Sequence, residues 1–255
     1  MALTRFTLHV LLISLIAAVL YRPYASDSIF DVANRPQKLL VLTAHPDDES
    51  LFFSPTILAL HKLADVFSMC ISTGNSDGLG NVRKQELEKS LDVLGVEPSR
   101  RLILDHPDLQ DNITVSWDVN VLSNIVKSFV LDNSIDTILT FDEGGISGHP
   151  NHKSLPEAMK VMLAMFEDSQ SRPKLFSLIT VSLPSKYISI LAPVLAKLRL
   201  RVLDTPQITF VAGINEYRLA LRAMRQHWSQ LVWFRWLNVM FSRYMWVNEW
   251  IEIVP

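Results

Sequence analysis

The sequence has almost no cysteine, little glycine and no imbalance of charge, and each shortage removes a class of protein. One cysteine in 255 residues, Cys70, excludes an intrachain disulfide framework. Its place in the apolar run VFSMCIST reads as a buried thiol rather than a nucleophile. Eight glycines and no low-complexity tract argue against a disordered chain. A net charge of -2 gives no reason to expect a nucleic-acid partner. Long uncharged runs are scarce too, with one exception at residues 6–21, FTLHVLLISLIAAVLY. This run is shorter than the roughly 20 residues that span a bilayer, so it suits a short anchor, a signal-peptide core or an interfacial helix. Arg5 alone precedes it, whereas Arg22, Arg35 and Lys38 follow. The positive-inside tendency then keeps the body of the chain cytosolic. The expectation is an N-terminal hydrophobic anchor helix over 1–25, a linker over 26–37, and one domain over 38–255.

What is present is a core-forming pattern, since 49% of residues are hydrophobic. Apolar runs with strand character occur at 39–44, 65–72, 101–104 and 137–141, with later runs at 175–183 and 207–211. Helical spacing lies between them, as with Leu87, Leu91 and Leu94. Continuous apolar strands alternating with helices predict an α/β fold, a mostly parallel sheet with helices on both faces. In such a sheet ligands bind outside the carboxyl ends of the strands. Polar clusters follow the first four runs directly: HPDDE at 45–49, TGNSDGLGNVR at 73–83, DHPD at 105–108 and DEGGISGHPNH at 142–152.

HPDDE places four ionisable groups beside a core, where charges are normally paired or bound to a metal. His45 and Asp48 are three apart, so one turn aims both at a common point, and Asp47 between them can face that point without ligating. His149 and His152 follow the glycine-rich run 144–148. A catalytic zinc takes three protein ligands and keeps a position for water. His45, Asp48 and one of the two later histidines complete such a set, leaving the other free for proton transfer; Fe²⁺ and Mn²⁺ also suit these donors. The stretch 74–83 is neither GxGxxG nor a P-loop. Arg83 and Glu86, one turn apart, are candidates to hold a polar substrate, with a surface ion pair as the plainer alternative. Asp142 and Glu143 either orient a ligand histidine or are simply solvated.

AHPDDE at 44–49, GNSDGLGNVRKQEL at 74–87 and TFDEGGISGHPNH at 140–152 resemble the PIG-L/LmbE deacetylase family, and QHWSQLVWFRWLNVMFSRYM at 226–245 resembles its eukaryotic branch. The resemblance implies a Rossmann-like fold and a divalent metal, Zn²⁺ first, on His45, Asp48 and His152. It also implies Asp47 as general base and His149 assisting the oxyanion or leaving group. The implied reaction is deacetylation of the glycolipid N-acetylglucosaminyl-phosphatidylinositol by an enzyme anchored in the endoplasmic reticulum membrane, its active site facing the cytosol. A deacetylase of a soluble acetylated sugar and a metal-binding scaffold without turnover are the competing expectations. Gln226 stands where close relatives are expected to carry cysteine. Towards the end of the chain, Tyr217, Leu221, Met224, Trp228 and Leu231 follow helical spacing beside Arg218, Arg222 and Arg225. That pattern fits a helix packed on the sheet or one at a membrane interface.

Overall fold

In the computed structural model, the described residues are 20–26, 37–168, 171–202 and 207–254, with positions 14, 17 and 18. The six apolar runs become strands β2 Lys38–Thr43, β3 Asp65–Cys70, β4 Arg101–Ile103, β5 Thr137–Phe141, β6 Lys174–Leu178 and β7 Ile208–Val211 of one sheet, which β1 Tyr24–Ala25 and β8 Val247–Ile253 complete. Their order is β1-β7-β8-β6-β5-β2-β3-β4. The five strands β4-β3-β2-β5-β6 are mutually parallel, while β8, β7 and β1 extend the sheet antiparallel. Leu39, Leu40, Val41 and Leu42 are all buried, as a strand covered on both faces requires.

The covering helices are α1 Ser54–Leu60, α2 Gly80–Leu94, α3 Val119–Asn133, α4 Pro150–Ala164, α5 Leu191–Val202, α6 Ile214–Met224 and α7 Trp233–Phe241. Helix α6 packs on α1 and α2, and α3 packs on α4. Right-handed crossovers that leave β2 toward β3 and then β4, and return to β5 on its other side, place these two groups on opposite faces. Leu87, Leu91 and Leu94 are the buried stripe of α2. The parallel strands change direction of succession between β2 and β5, and that switch point is where an open α/β sheet binds its ligand.

Two features depart from the sequence reading. Tyr24 and Ala25, expected at the end of an anchor, pair with Val211 and Phe210 at the sheet edge. Most of the run at 6–21 lies outside the described residues, as do positions 27–36 of the linker. Among the described residues no helix is long and apolar enough to cross a membrane. The second feature is β8, unforeseen because its run VNEWIEI carries polar residues at buried positions. Asn248 and Trp250, both fully buried, use those polar atoms as fasteners. The Asn248 carboxamide accepts from Thr56 N (3.2 Å) and Thr56 Oγ1 (2.8 Å) and donates to Phe52 O (2.7 Å). Trp250 Nε1 donates to Thr56 Oγ1 (2.9 Å). The last strand thereby pins the helix that follows HPDDE.

Candidate active site and metal centre

At the end of β2 the chain turns, with Asp48 N donating to His45 O (3.3 Å), and so brings residues three apart to one side. Asp48 Oδ2 closes the turn by accepting from Ala44 N (3.0 Å) and His45 N (2.9 Å). Its other oxygen is left 3.3 Å from His152 Nε2. Asp47 carries the strain of this arrangement, with φ at 108°, a conformation that costs a non-glycine residue of order 1–3 kcal/mol and persists mainly at functional sites. A single π-helical turn, Glu49–Phe53, follows before α1.

The second half of the site comes from the loop after β5. Asp142 accepts from Gly144 N (3.0 Å), Gly145 N (3.1 Å) and Thr180 N (2.6 Å), shaping the loop so that Gly145 O meets His152 Nδ1 at 3.0 Å. That carbonyl demands a proton on Nδ1 and leaves the Nε2 lone pair facing Asp48. His45 is fixed similarly. Its Nε2 lies 3.1 Å from Asn151 Oδ1 and 3.2 Å from Asp111 Oδ1, so its Nδ1 lone pair points toward His152 Nε2, 3.2 Å away. Two lone pairs and a carboxylate oxygen therefore converge at separations of 3.2 and 3.3 Å. Ligand atoms about 2.0–2.1 Å from a tetrahedral centre lie about 3.3 Å apart, so the donors fit a divalent cation. Such a cation also removes the repulsion between the facing lone pairs.

The electrostatics single out Asp48 as the anion of the cluster and favour protons on the facing imidazoles where no cation takes their place. Burial raises the Asp48 carboxyl, but His152 and His45 outweigh it and hold the group well below the usual carboxylate range. Asp48 is thus a ready anionic donor. Burial also works against protonation of His45, and is outweighed by Asp111 and Asp48. His149 is a third imidazole with a nitrogen within 4.8 Å of those of His45 and His152. Its Nδ1, however, accepts from Asn151 N (3.2 Å) as the cap of α4, which leaves Nε2 carrying the proton. Burial and then the neighbouring His45 and His152 push its pKa down to about 4, so it is a neutral hydrogen-bond donor. Beside His45 and His152 the third position therefore has two candidates, His149 and the Asp48 carboxylate in contact with His152 (3.3 Å).

Asp47 sits beside these donors, 2% exposed. Its Oδ2 has no well-aligned hydrogen bond, although Arg235 Nη1 is 3.2 Å away. Burial lifts its pKa to about 6, with Arg235 opposing and Asp48 reinforcing the rise. Glu49 holds the strained backbone. Its Oε2 accepts from Asp47 N (3.1 Å), and its Oε1 from Ser90 Oγ (2.5 Å) while lying 2.6 Å from His227 Nε2. His227, fully buried, loses basicity to burial but regains more from Glu49, for a net rise.

Of the two substrate-binding candidates, Arg83 pairs with Asp77 (2.6 Å) and approaches Asp111 at 3.8 Å, so it reaches the site through the partner of His45. Glu86 is placed elsewhere. Its two oxygens accept from Ser229 N (2.8 Å) and Ser229 Oγ (2.7 Å), which commits it to the turn after α6. Nor do Arg83 and Glu86 form the ion pair that their spacing allowed. The stretch at 74–83 caps itself, Gly80 N donating to Asn75 Oδ1 (2.8 Å). Glu143 is exposed and pairs with Lys160 (2.5 Å). Sequence reasoning missed Asp111, His227 and Arg235. Asp111 lies just beyond the DHPD cluster after β4, and His227 and Arg235 fall within the 226–245 stretch that carries the resemblance to the eukaryotic branch, where neither was given a role.

Three histidines able to hold a metal ion and two buried carboxylates, gathered at the switch point of a Rossmann-ordered sheet, are the equipment of a metal-dependent hydrolase. Residues 40–163 match the PIG-L family model, described as GlcNAc-PI de-N-acetylase. The N-acetylglucosaminyl-phosphatidylinositol de-N-acetylase of Bos taurus is 41% identical over 216 residues, covering 83% of this chain and 82% of its own. A probable enzyme of the same name from Schizosaccharomyces pombe is 36% identical over 214 residues, with 82% and 84% covered. Among solved structures, N,N'-diacetylchitobiose deacetylase from Pyrococcus horikoshii shares the fold at TM-score 0.60 and 16% identity, with 88% of each chain covered. The chain belongs to the PIG-L family of deacetylases.

Proposed function

We propose that this chain hydrolyses the acetamide of N-acetylglucosaminyl-phosphatidylinositol to acetate and glucosaminyl-phosphatidylinositol, an early step of glycosylphosphatidylinositol-anchor synthesis. The carrying observation is the convergence of His45 Nδ1, His152 Nε2 and Asp48 Oδ1 next to a desolvated Asp47. The substrate follows from the name of the bovine relative.

His45, Asp48 and His152 would hold a divalent cation, Zn²⁺ first, which would supply Lewis-acid polarisation and lower the pKa of water from about 15.7 toward about 7. The protein supplies the rest. Asp47 takes a proton from the attacking water as its oxygen bonds to the acetamide carbon, and it is buried enough to hold that proton. His149 Nε2–H donates to the oxygen that gains negative charge. When the C–N bond breaks, protonated Asp47 returns its proton to the leaving amine. Arg235 keeps the carboxylate from swinging away.

The apolar run at 6–21 and the cations after it support a single-pass anchor in the endoplasmic reticulum membrane with the catalytic domain in the cytosol. In that arrangement the Asn112-Ile113-Thr114 sequon stays unmodified, and its glycosylation in cells would overturn the topology. The activity test is turnover of the glycolipid by purified, metal-analysed protein beside Asp47→Asn. Turnover by the parent alone, at equal metal content, is expected; an active Asp47→Asn would falsify the base assignment.

A further inference from the structure

Helix α7 leaves an uncovered apolar face. Trp233 is 76% exposed, Phe234 53%, and Leu237 and Phe241 are close to half exposed. Helix α5 has another at i, i+4, i+7 and i+11, where Leu191, Leu195, Leu198 and Val202 are each more than half exposed. The two elements are joined, since Ser189 N donates to Phe241 O (2.9 Å) and Ser189 Oγ to Met240 O (2.6 Å). Between Tyr187 and α7 runs a groove of about 580 Å³ lined by Tyr187, Phe234, Arg235, Leu237, Asn238 and Phe241. Arg235 is its one charged wall, and the same guanidinium lies 3.2 Å from catalytic Asp47. Lys186 stands close by, its ammonium lying over the Tyr187 ring. Lys186 Nζ also donates to Ile146 O (3.5 Å), and burial and then the Arg235 charge depress its basicity; among the described residues Asp47 is the one carboxylate paired with either cation.

We infer that this groove receives the phosphoglyceride end of the substrate, with Arg235 and Lys186 on the phosphodiester and the apolar walls of α7 on the acylglycerol. Resting on the deacetylase reading above, it assigns a place to the part of the substrate that does not react. Charge complementarity and continuity with Asp47 select this occupant. The single negative charge of a phosphodiester, added to that of Asp47, balances the two crowded cations, and a guanidinium has enough donors to hold Asp47 and a phosphate oxygen together. An acyl chain covers apolar surface that is otherwise left in water. The exposed face of α5 then rests on the lipid surface from which the substrate protrudes. Interactions of this kind, remote from the reacting bond, set KM and orient the acetamide.

The test compares full-length protein in detergent micelles on two substrates, the diacyl glycolipid and lipid-free N-acetylglucosaminyl-inositol. Phe234→Gln/Phe241→Gln is expected to raise KM for the glycolipid at least tenfold while leaving kcat/KM for the lipid-free substrate within twofold. Lys186→Gln is expected to do the same, because only the glycolipid carries the phosphodiester. A photoactivatable diacyl phosphatidylinositol should label peptides from 233–241, and the double variant should abolish the labelling. Unchanged KM and labelling elsewhere would overturn the groove while leaving the deacetylase intact. Wild-type protein inactive on the glycolipid would instead remove the reading beneath it.

Discussion

On the reading proposed for it, Asp47 trades stability for chemistry. Its folded pKa of about 6 lies above its ordinary 3.8 because burial penalises the charge more than Arg235 relieves it. Its contribution to stability is therefore complete below about pH 3.8 and lost as pH rises through about 6, so at neutral pH the ionised group is a cost. Asp47→Asn should raise the Tm of metal-free protein at pH 7.5 by a few degrees, and lower turnover by about 10²-fold or more. Calorimetry and a single-turnover assay check both, and an unchanged or lower Tm would count against a desolvated base. A bound dication lowers that pKa, so activity should rise with pH through an inflection at or below about 6. The same scale separates ligand from donor. His149→Ala should keep its metal and lose about 10²–10³ in kcat, whereas Asp48→Ala should lose the metal. Metal stoichiometry after dialysis decides, and loss from His149→Ala would favour a three-histidine centre.

At the scale of elements, the site is held by connections distant in sequence. The turn after α6 packs His227 on Glu49 and Ser229 on Glu86, clamping the π-helical turn and α2 together. Glu86→Gln turns a carboxamide NH₂ toward groups that donate, so it should cost about 1–3 kcal/mol of stability with KM little changed. A raised KM at unaltered Tm would restore Glu86 as a substrate contact. Asn151, fully buried, is the third residue of HPNH and orients His45 from the neighbouring strand's loop. Asn151→Ala should weaken metal binding about 10–100-fold, measured by competition with a chelator, although Asn151 ligates nothing. The parallel strands were legible because each is a continuous apolar run. Strand β8 was not, since Asn248 and Glu249 interrupt its pattern and find their side-chain partners in Thr56, Phe52, Tyr244, Arg199 and Arg243. Helical spacing likewise overran α6, which stops at Met224 so that His227 can turn inward.

At the scale of the whole molecule, metal, fold and site are one thermodynamic system. A cation that binds only the folded chain stabilises it by RT ln(1 + [L]/Kd), about 2.7 kcal/mol at a hundredfold excess over Kd. Chelation should thus abolish turnover and lower Tm together, and Zn²⁺ should restore both; activity that survives chelation would remove the metal reading. The sequence by itself determined the strand-helix alternation, the place of HPDDE and GHPNH at the strand ends and the donor types they bring there, because hydrophobic period and side-chain type are local properties. Tertiary structure alone decided which histidine nitrogen faces the site, that Asp111 and Asn151 orient His45, and that Glu86 serves the turn after α6. It also brought Arg235 to Asp47. Those outcomes depend on contacts between segments up to 188 positions apart, and burial, tautomer and pKa are set by such neighbours rather than by a residue's own place in the chain.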